Sequence, residues 1–183
     1  MRDYPLKVYL STSWHEADAA LSSHVVKVLA NANLTVVGDH HDYQRDDPFD
    51  RPWTKRVHSL VSDCSGVVAI LPSRESVQTT SPYMFPELLA AADHGLPLLL
   101  FTHQGIQLET RETILRFGEN DGSQPLGPSQ LEADPGLPLE QVRALDLHGI
   151  RHLAGPYKLP GTENLDLLIG DFSRNHLKRV EAA

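Results

Sequence analysis

A chain of 183 residues, 40% hydrophobic and 22% charged, suits one globular domain with a full core and excludes a disordered chain. Its formal charge of −8, from 16 basic and 24 acidic residues without a basic run, excludes duplex nucleic acid as the main partner, because that binding neutralises phosphates with clustered Lys and Arg. The single cysteine, Cys64, excludes an internal disulfide and a cysteine-based zinc pattern, and points to a reducing, cytoplasmic setting.

The opening residues contain no apolar stretch ahead of a small-residue cleavage site, and no later apolar run approaches the ~20 residues that span a bilayer. A soluble, unprocessed protein away from membranes is expected. Leu6 to Leu10 is rich in β-formers and gives way to the polar turn Ser11-Thr12-Ser13-Trp14; this reads as a strand and a loop. From Glu16 to Asn33, Leu21, Val25, Val28, Leu29 and Ala32 recur at spacings of three and four, the stripe of an amphipathic helix. Leu34 to Gly38 predicts a second strand, and Asp39 to Pro52 a long polar loop carrying Tyr43, Arg45, Phe49 and Arg51.

Val57, Leu60, Val61 and Cys64 mark a second helix over Trp53 to Cys64, followed by the strand Val67 to Leu71, which is apolar on both faces. Continuous apolar strands alternating with amphipathic helices are what a parallel sheet covered on both sides requires. After a polar loop from Pro72 to Thr80 comes Ser81-Pro82-Tyr83-Met84-Phe85-Pro86-Glu87. Proline lacks an N–H and fits the first position of a helix better than its interior, so a helix is predicted to start near Pro86 and end at Gly95. The strand Leu96 to Phe101 follows.

The segment of about 103–148 is read as a Gly/Pro-rich insertion in the single domain 1–183, with short helices expected over Glu109 to Phe117 and Leu139 to Leu147. A fifth strand is expected around Ile150 to Leu153, then a Gly-Pro loop and a last helix from about Thr162, with Thr162 as its cap. Right-handed crossovers then give an open, five-stranded parallel sheet with helices on both faces, whose ligands bind outside the carboxyl ends of the strands.

Glu87 falls at that end, in the first turn of a helix, where unpaired N–H groups and the helix dipole favour an ionised carboxylate. The plain alternative is that it only complements the dipole. The phosphate loops GxxxxGK[ST] and GxGxxG, the GxSxG elbow and HExxH are all absent. Among ten histidines the one compact cluster is Asp39-His40-His41-Asp42, neighbours in sequence that do not converge on one ion, so no metal is expected. Cys64 lies on the apolar face of its helix and reads as a small buried hydrophobe.

Val8-Tyr9-Leu10-Ser11-Thr12-Ser13-Trp14, with Glu16 and Asp18 behind it, is similar to the first box of Toll/interleukin-1 receptor (TIR) domains, and Ser81-x-Tyr83-Met84-x-x-Glu87 resembles their Ser-x-Trp-Cys-x-x-Glu pattern. Tyr replaces Trp, Met replaces Cys, and Thr12 stands where an aromatic is usual. The likeness covers about residues 6 to 101, and beyond them only the order of elements. It implies a flavodoxin-like sheet and an enzyme that cleaves the nicotinamide-ribose bond of NAD, some bacterial members making cyclic or conjugated ADP-ribose signals in antiphage defence. NAD would be substrate rather than cofactor, the chain would assemble with itself through TIR contacts, and a downstream effector would answer the product.

On that resemblance Glu87 is the catalytic carboxylate, stabilising an oxocarbenium-like centre while neutral nicotinamide leaves without an acid. Ser11, Thr12, Ser13 and Trp14 would contact the nucleotide, Asp39 the ribose, and Tyr83 the nicotinamide; packing alone is the plainer role of Trp14 and Tyr83. Two rivals stand beside it. Nucleoside 2-deoxyribosyltransferase-like proteins share such a sheet and a glutamate at a similar place, and Ala-Ala-Asp-His-Gly-Leu-Pro at 91–97 resembles their A-x-x-x-G-K-P stretch, although their usual Gly-Thr/Ser ahead of the glutamate is missing. The third reading is a non-catalytic TIR adaptor that acts by assembly.

Overall fold

Five parallel strands carry the molecule in a computed structural model: β1 (Leu6–Thr12), β2 (Leu34–Val37), β3 (Gly66–Leu71), β4 (Leu98–His103) and β8 (Leu153–Leu159), in the spatial order β2-β1-β3-β4-β8. Among the described residues four helices accompany them: α1 (Ala19–Asn31), preceded by a 3-10 turn at Glu16–Asp18, α2 (Trp53–Ser62), α3 (Phe85–Asp93) and α4 (Leu165–Asn175). This is a flavodoxin-like α/β sheet, the arrangement expected from the alternation of apolar strands and amphipathic helices. The structure describes residues 5–13, 16–38, 53–71, 80, 84–104, 106, 108–109, 114–116, 144–150, 152–159 and 164–177.

Alternation along the strands sorts the core into two layers. Tyr9 of β1, Val67, Ala69 and Leu71 of β3, and Leu98 and Leu100 of β4 pack with α2 and α3. Val8 and Leu10, Val68 and Ile70, and Leu99 and Phe101 face the other way, onto α1 and α4. Every residue of β3 is buried, which is why that strand shows no polar alternation in sequence.

Between β4 and β8, the described residues of the two expected helices, Glu109, Ile114–Arg116 and Ala144–Leu147, are strand and 3-10 turn instead, and the rest of both helices lies outside the described residues. Leu108–Glu109 (β5), Ile114–Arg116 (β6) and Ala144–Asp146 (β7) make a small antiparallel sheet in the order β5-β6-β7. Leu115 and Leu145 from it, with Ile106, Leu147 and Ile150, join the core layer of α2 and α3. Strands of two or three residues are too short to display a period of two, so their apolar residues mimic a helical stripe.

The fifth strand also differs from expectation, running to Leu159 through the Gly-Pro pair read as a loop. The register passes from Leu99↔Ala154 to Phe101↔Tyr157, so β8 holds one residue more than β4 there. Gly155 and Pro156 form that bulge, a place where a strand at the sheet edge tolerates both residue types. Gly155 has φ +100, and a Cβ on it would lie 2.5 Å from the Leu100 carbonyl oxygen. Gly155→Ala is expected to lower unfolding free energy by about 2–4 kcal/mol through strain and the clash with β4, read as a shifted urea midpoint.

α3 ends where expected. Gly95 has φ +58, its N–H donates to the Ala92 carbonyl and the Leu96 N–H to that of Ala91, the paired closure that caps a helix through a left-handed residue. β4 starts two residues later than Leu96, beyond Pro97, which has no N–H to give a ladder.

Cys64 is buried, and its thiol donates to the Leu60 carbonyl at 3.2 Å. Burial pushes it up from 9.0 to about 12, eased by Lys7 and reinforced by Asp63. A thiol reagent at pH 8 should leave the folded protein unlabelled and react once it unfolds. Below pH 9 the thiol is protonated in both states and stability does not depend on it. From pH 9 to about 12 it ionises only in the unfolded chain, so stability falls as pH rises, and Cys64→Ala should lack that part of the decline.

Candidate active site

Because the sheet is parallel, all its carboxyl ends lie on one rim, and the first turns of α2 and α3 lie there too. Phe85 and Pro86 open α3, and Glu87 is the acid of its first turn. Met84 precedes the helix without a capping side chain, so the dipole at this end is complemented from within the turn by Glu87. Ala90 and Ala91 are both fully buried; their small side chains let α3 lie close upon the sheet.

That approach brings Glu87 onto β1. The carboxylate is buried, 6% exposed. The Tyr9 hydroxyl donates to its Oε1 at 2.9 Å, and the Ser11 hydroxyl donates to its Oε2. Tyr9 and Ser11 are two apart on one strand and so share the face toward α3. Ser11 is in register with Ala69 of β3, and two small residues side by side leave room for a carboxylate under the helix. An ionised carboxylate only accepts hydrogen bonds, so an anion fits between these two hydroxyls. Arg56, in the first turn of α2 beside α3, is buried at the same rim.

The Tyr9 ring has its own requirement. Gly38, directly after β2, has φ +126, and a Cβ there would meet the Leu10 carbonyl oxygen at 2.8 Å and Tyr9 Cε2 at 3.2 Å. A glycine thus ends β2 where the phenol ring passes.

Of the residues singled out in the sequence, Glu87 and Ser11 are brought together. Ser11 belongs to β1 rather than to a loop. Thr12 closes the strand one residue on, so its side chain takes the opposite face from Glu87. Ser13 follows the strand and is buried. Trp14, Asp39 and Tyr83 lie outside the described residues, as does the Asp39-His40-His41-Asp42 cluster. Tyr9, two positions before Ser11 on the same strand, was not singled out as a site residue, because a strand apolar on both faces carries no signal for it.

Among the described residues no group of three or more His, Cys, Asp or Glu is placed to hold a metal, and no helix is long and apolar enough to cross a membrane.

No protein-family model matches the chain, and no curated protein matches it in sequence. Among solved structures, it is similar to the CMP N-glycosidase BcmB of Clostridium botulinum, with a TM-score of 0.39 and 17% identity over 54% of this chain and 72% of that one. It is similar to a 2-deoxyribosyltransferase of Bacillus psychrosaccharolyticus, with a TM-score of 0.39 and 19% identity over 52% of this chain and 72% of the other. A conserved protein of Enterococcus faecalis V583 gives a TM-score of 0.47 and 13% identity over 91% of this chain and 98% of that chain.

Proposed function

We propose that the chain cleaves the N-glycosidic bond of a nucleoside or nucleotide, with Glu87 as the catalytic carboxylate and water or a second base as acceptor, after the manner of nucleoside 2-deoxyribosyltransferase-like enzymes. The observation that carries the proposal is the clamping of one buried carboxylate through both oxygens by Tyr9 and Ser11. A carboxylate held through both oxygens is fixed in orientation. That suits an anomeric carbon. As the bond breaks, its electron pair leaves with the ring nitrogen of the base, and positive charge grows on the sugar beside a fixed anion already stripped of much of its water. Attack by water gives the free sugar and attack by a second base gives a new nucleoside, and in either case the proton that the attacking group releases is taken up by the departing base. Two of the folds named above bear the names of chemistry of this class, but the proposal stands on the carboxylate.

The second reading keeps the same carboxylate and takes NAD as substrate. It is favoured by the Ser81-to-Glu87 register and by the Ser11-Thr12-Ser13-Trp14 box. It asks Glu87 to hold ribose hydroxyls as well, a role for which a carboxylate occupied at both oxygens is less suited.

One experiment separates the two. The purified full chain is incubated with deoxyribo- and ribonucleosides, their 5′-monophosphates and NAD, with and without a second free base, and the products are resolved by chromatography and mass spectrometry. Free base or an exchanged nucleoside, with NAD intact, is expected. Release of nicotinamide with all nucleosides untouched would replace this proposal by the NAD reading, and turnover of neither would leave a protein that acts by assembly.

A further inference from the structure

β4 continues the alternation that built the core. Leu98 and Leu100 face α3, so Thr102, two residues on, shares the face of Tyr9, Ser11 and Glu87. Its hydroxyl is fully buried and finds no hydrogen-bond partner. A hydroxyl can donate once and accept twice, and burying it unpaired costs free energy that valine, of the same shape, avoids. A buried polar group left unpaired in the free protein calls for an explanation, and a bound molecule that supplies the partner is one.

The surroundings say what kind of molecule. Thr102 lies in register with Leu71 of β3 on one side and Lys158 of β8 on the other. The turn after β4 returns Ile106 to the same layer, its N–H donating to the His103 carbonyl. The Lys158 ammonium holds that turn by donating to the Ile106 carbonyl at 2.6 Å. Leu71, Leu100 and Ile106 are buried apolar residues of the same layer, so a molecule that reaches this hydroxyl would have to meet it with a flat apolar face and one polar edge. Thr102 stands two strands across from Ser11 and two residues nearer the rim, about 12 Å away by strand spacing and rise. That is the span of a nucleoside together with the side chains gripping its two ends. His103 also has a buried, unpartnered Nε2, but it points to the opposite face.

We propose that Thr102 is the specificity-determining residue of the site, pairing with the polar edge of the base while the sugar lies at Glu87; this rests on the N-glycosidic reading above. The test compares wild type, Thr102→Val and Thr102→Ser over nucleosides of the common bases. Thr102→Val should narrow the spread of kcat/KM between best and worst base at least about tenfold, since an unmatched hydrogen bond is the larger source of discrimination. Thr102→Ser should keep the spread. The melting temperature of the free Thr102→Val protein should be unchanged or higher. An unchanged spread, or a melting temperature several degrees lower because the hydroxyl is used within the fold, would overturn the proposal.

Binding tests Thr102 without turnover. Free bases should raise the melting temperature of Glu87→Gln protein to differing extents, and adding Thr102→Val should level those extents. A levelled response alongside no cleavage of any nucleoside would fault the reading of Glu87 and keep that of Thr102; an unlevelled response would fault Thr102.

Discussion

Glu87→Gln should reduce base release by roughly 10³-fold or more while leaving the protein folded. Glutamine keeps the shape, still offers an oxygen to one of the two hydroxyls and presents an amide N–H to the other, whose oxygen can accept it. What is lost is the charge, and the charge is what faces the sugar as its bond to the base weakens. The fall should appear in kcat far more than in KM, because a neutral base and sugar in the ground state gain little from a nearby anion. Near-UV circular dichroism and the melting temperature should stay close to wild type. If Glu87→Gln retains turnover within a few-fold, the carboxylate is a helix-end group only and the proposed chemistry is wrong.

The second large effect is expected from Tyr9→Phe. The phenyl ring fills the same space beside Gly38, so only the hydroxyl is removed. Glu87 Oε1 then lacks a donor that it has at 2.9 Å, and a buried group deprived of one partner costs about 1–3 kcal/mol of stability. Activity should fall about 10- to 100-fold with KM little changed, since Tyr9 acts by aiming the carboxylate and is covered by it. Ser11→Ala should do the same through the other oxygen. The two hydroxyls clamp one group, so the double variant should lose less than the product of the single losses. A product of the two would mean that each hydroxyl acts on the substrate separately.

The parts of the fold that the sequence displayed were those in which one physical demand acts alone. The apolar runs of β1, β3 and β4 must be buried on both faces. Pro86 must sit at a helix start, and Gly95 must adopt a left-handed conformation; each was legible at its position. Where two demands met, the reading failed. Gly155-Pro156 looks like a loop because both residues disfavour a ladder, yet at a bulged sheet edge neither is penalised. Ile114, Leu115 and Leu145 looked helical because strands this short show no period. Glu87 was visible because proline and helix end framed it locally. Tyr9 was not, since a strand apolar on both faces does not reveal which of its side chains will meet a carboxylate.

The bond between Tyr9 and Glu87 joins residues 78 apart in sequence, and β3, which pairs with β1, lies between them in the chain. Contacts between distant parts of a chain form late, because loop closure must come before the contact can repay it. The carboxylate clamp is therefore a feature of the completed sheet, absent from any fragment that ends before α3. On refolding from urea, recovery of catalysis should follow the slowest cooperative phase rather than the early gain of helix signal, and recovery with the early phase would mean that the clamp assembles without the sheet.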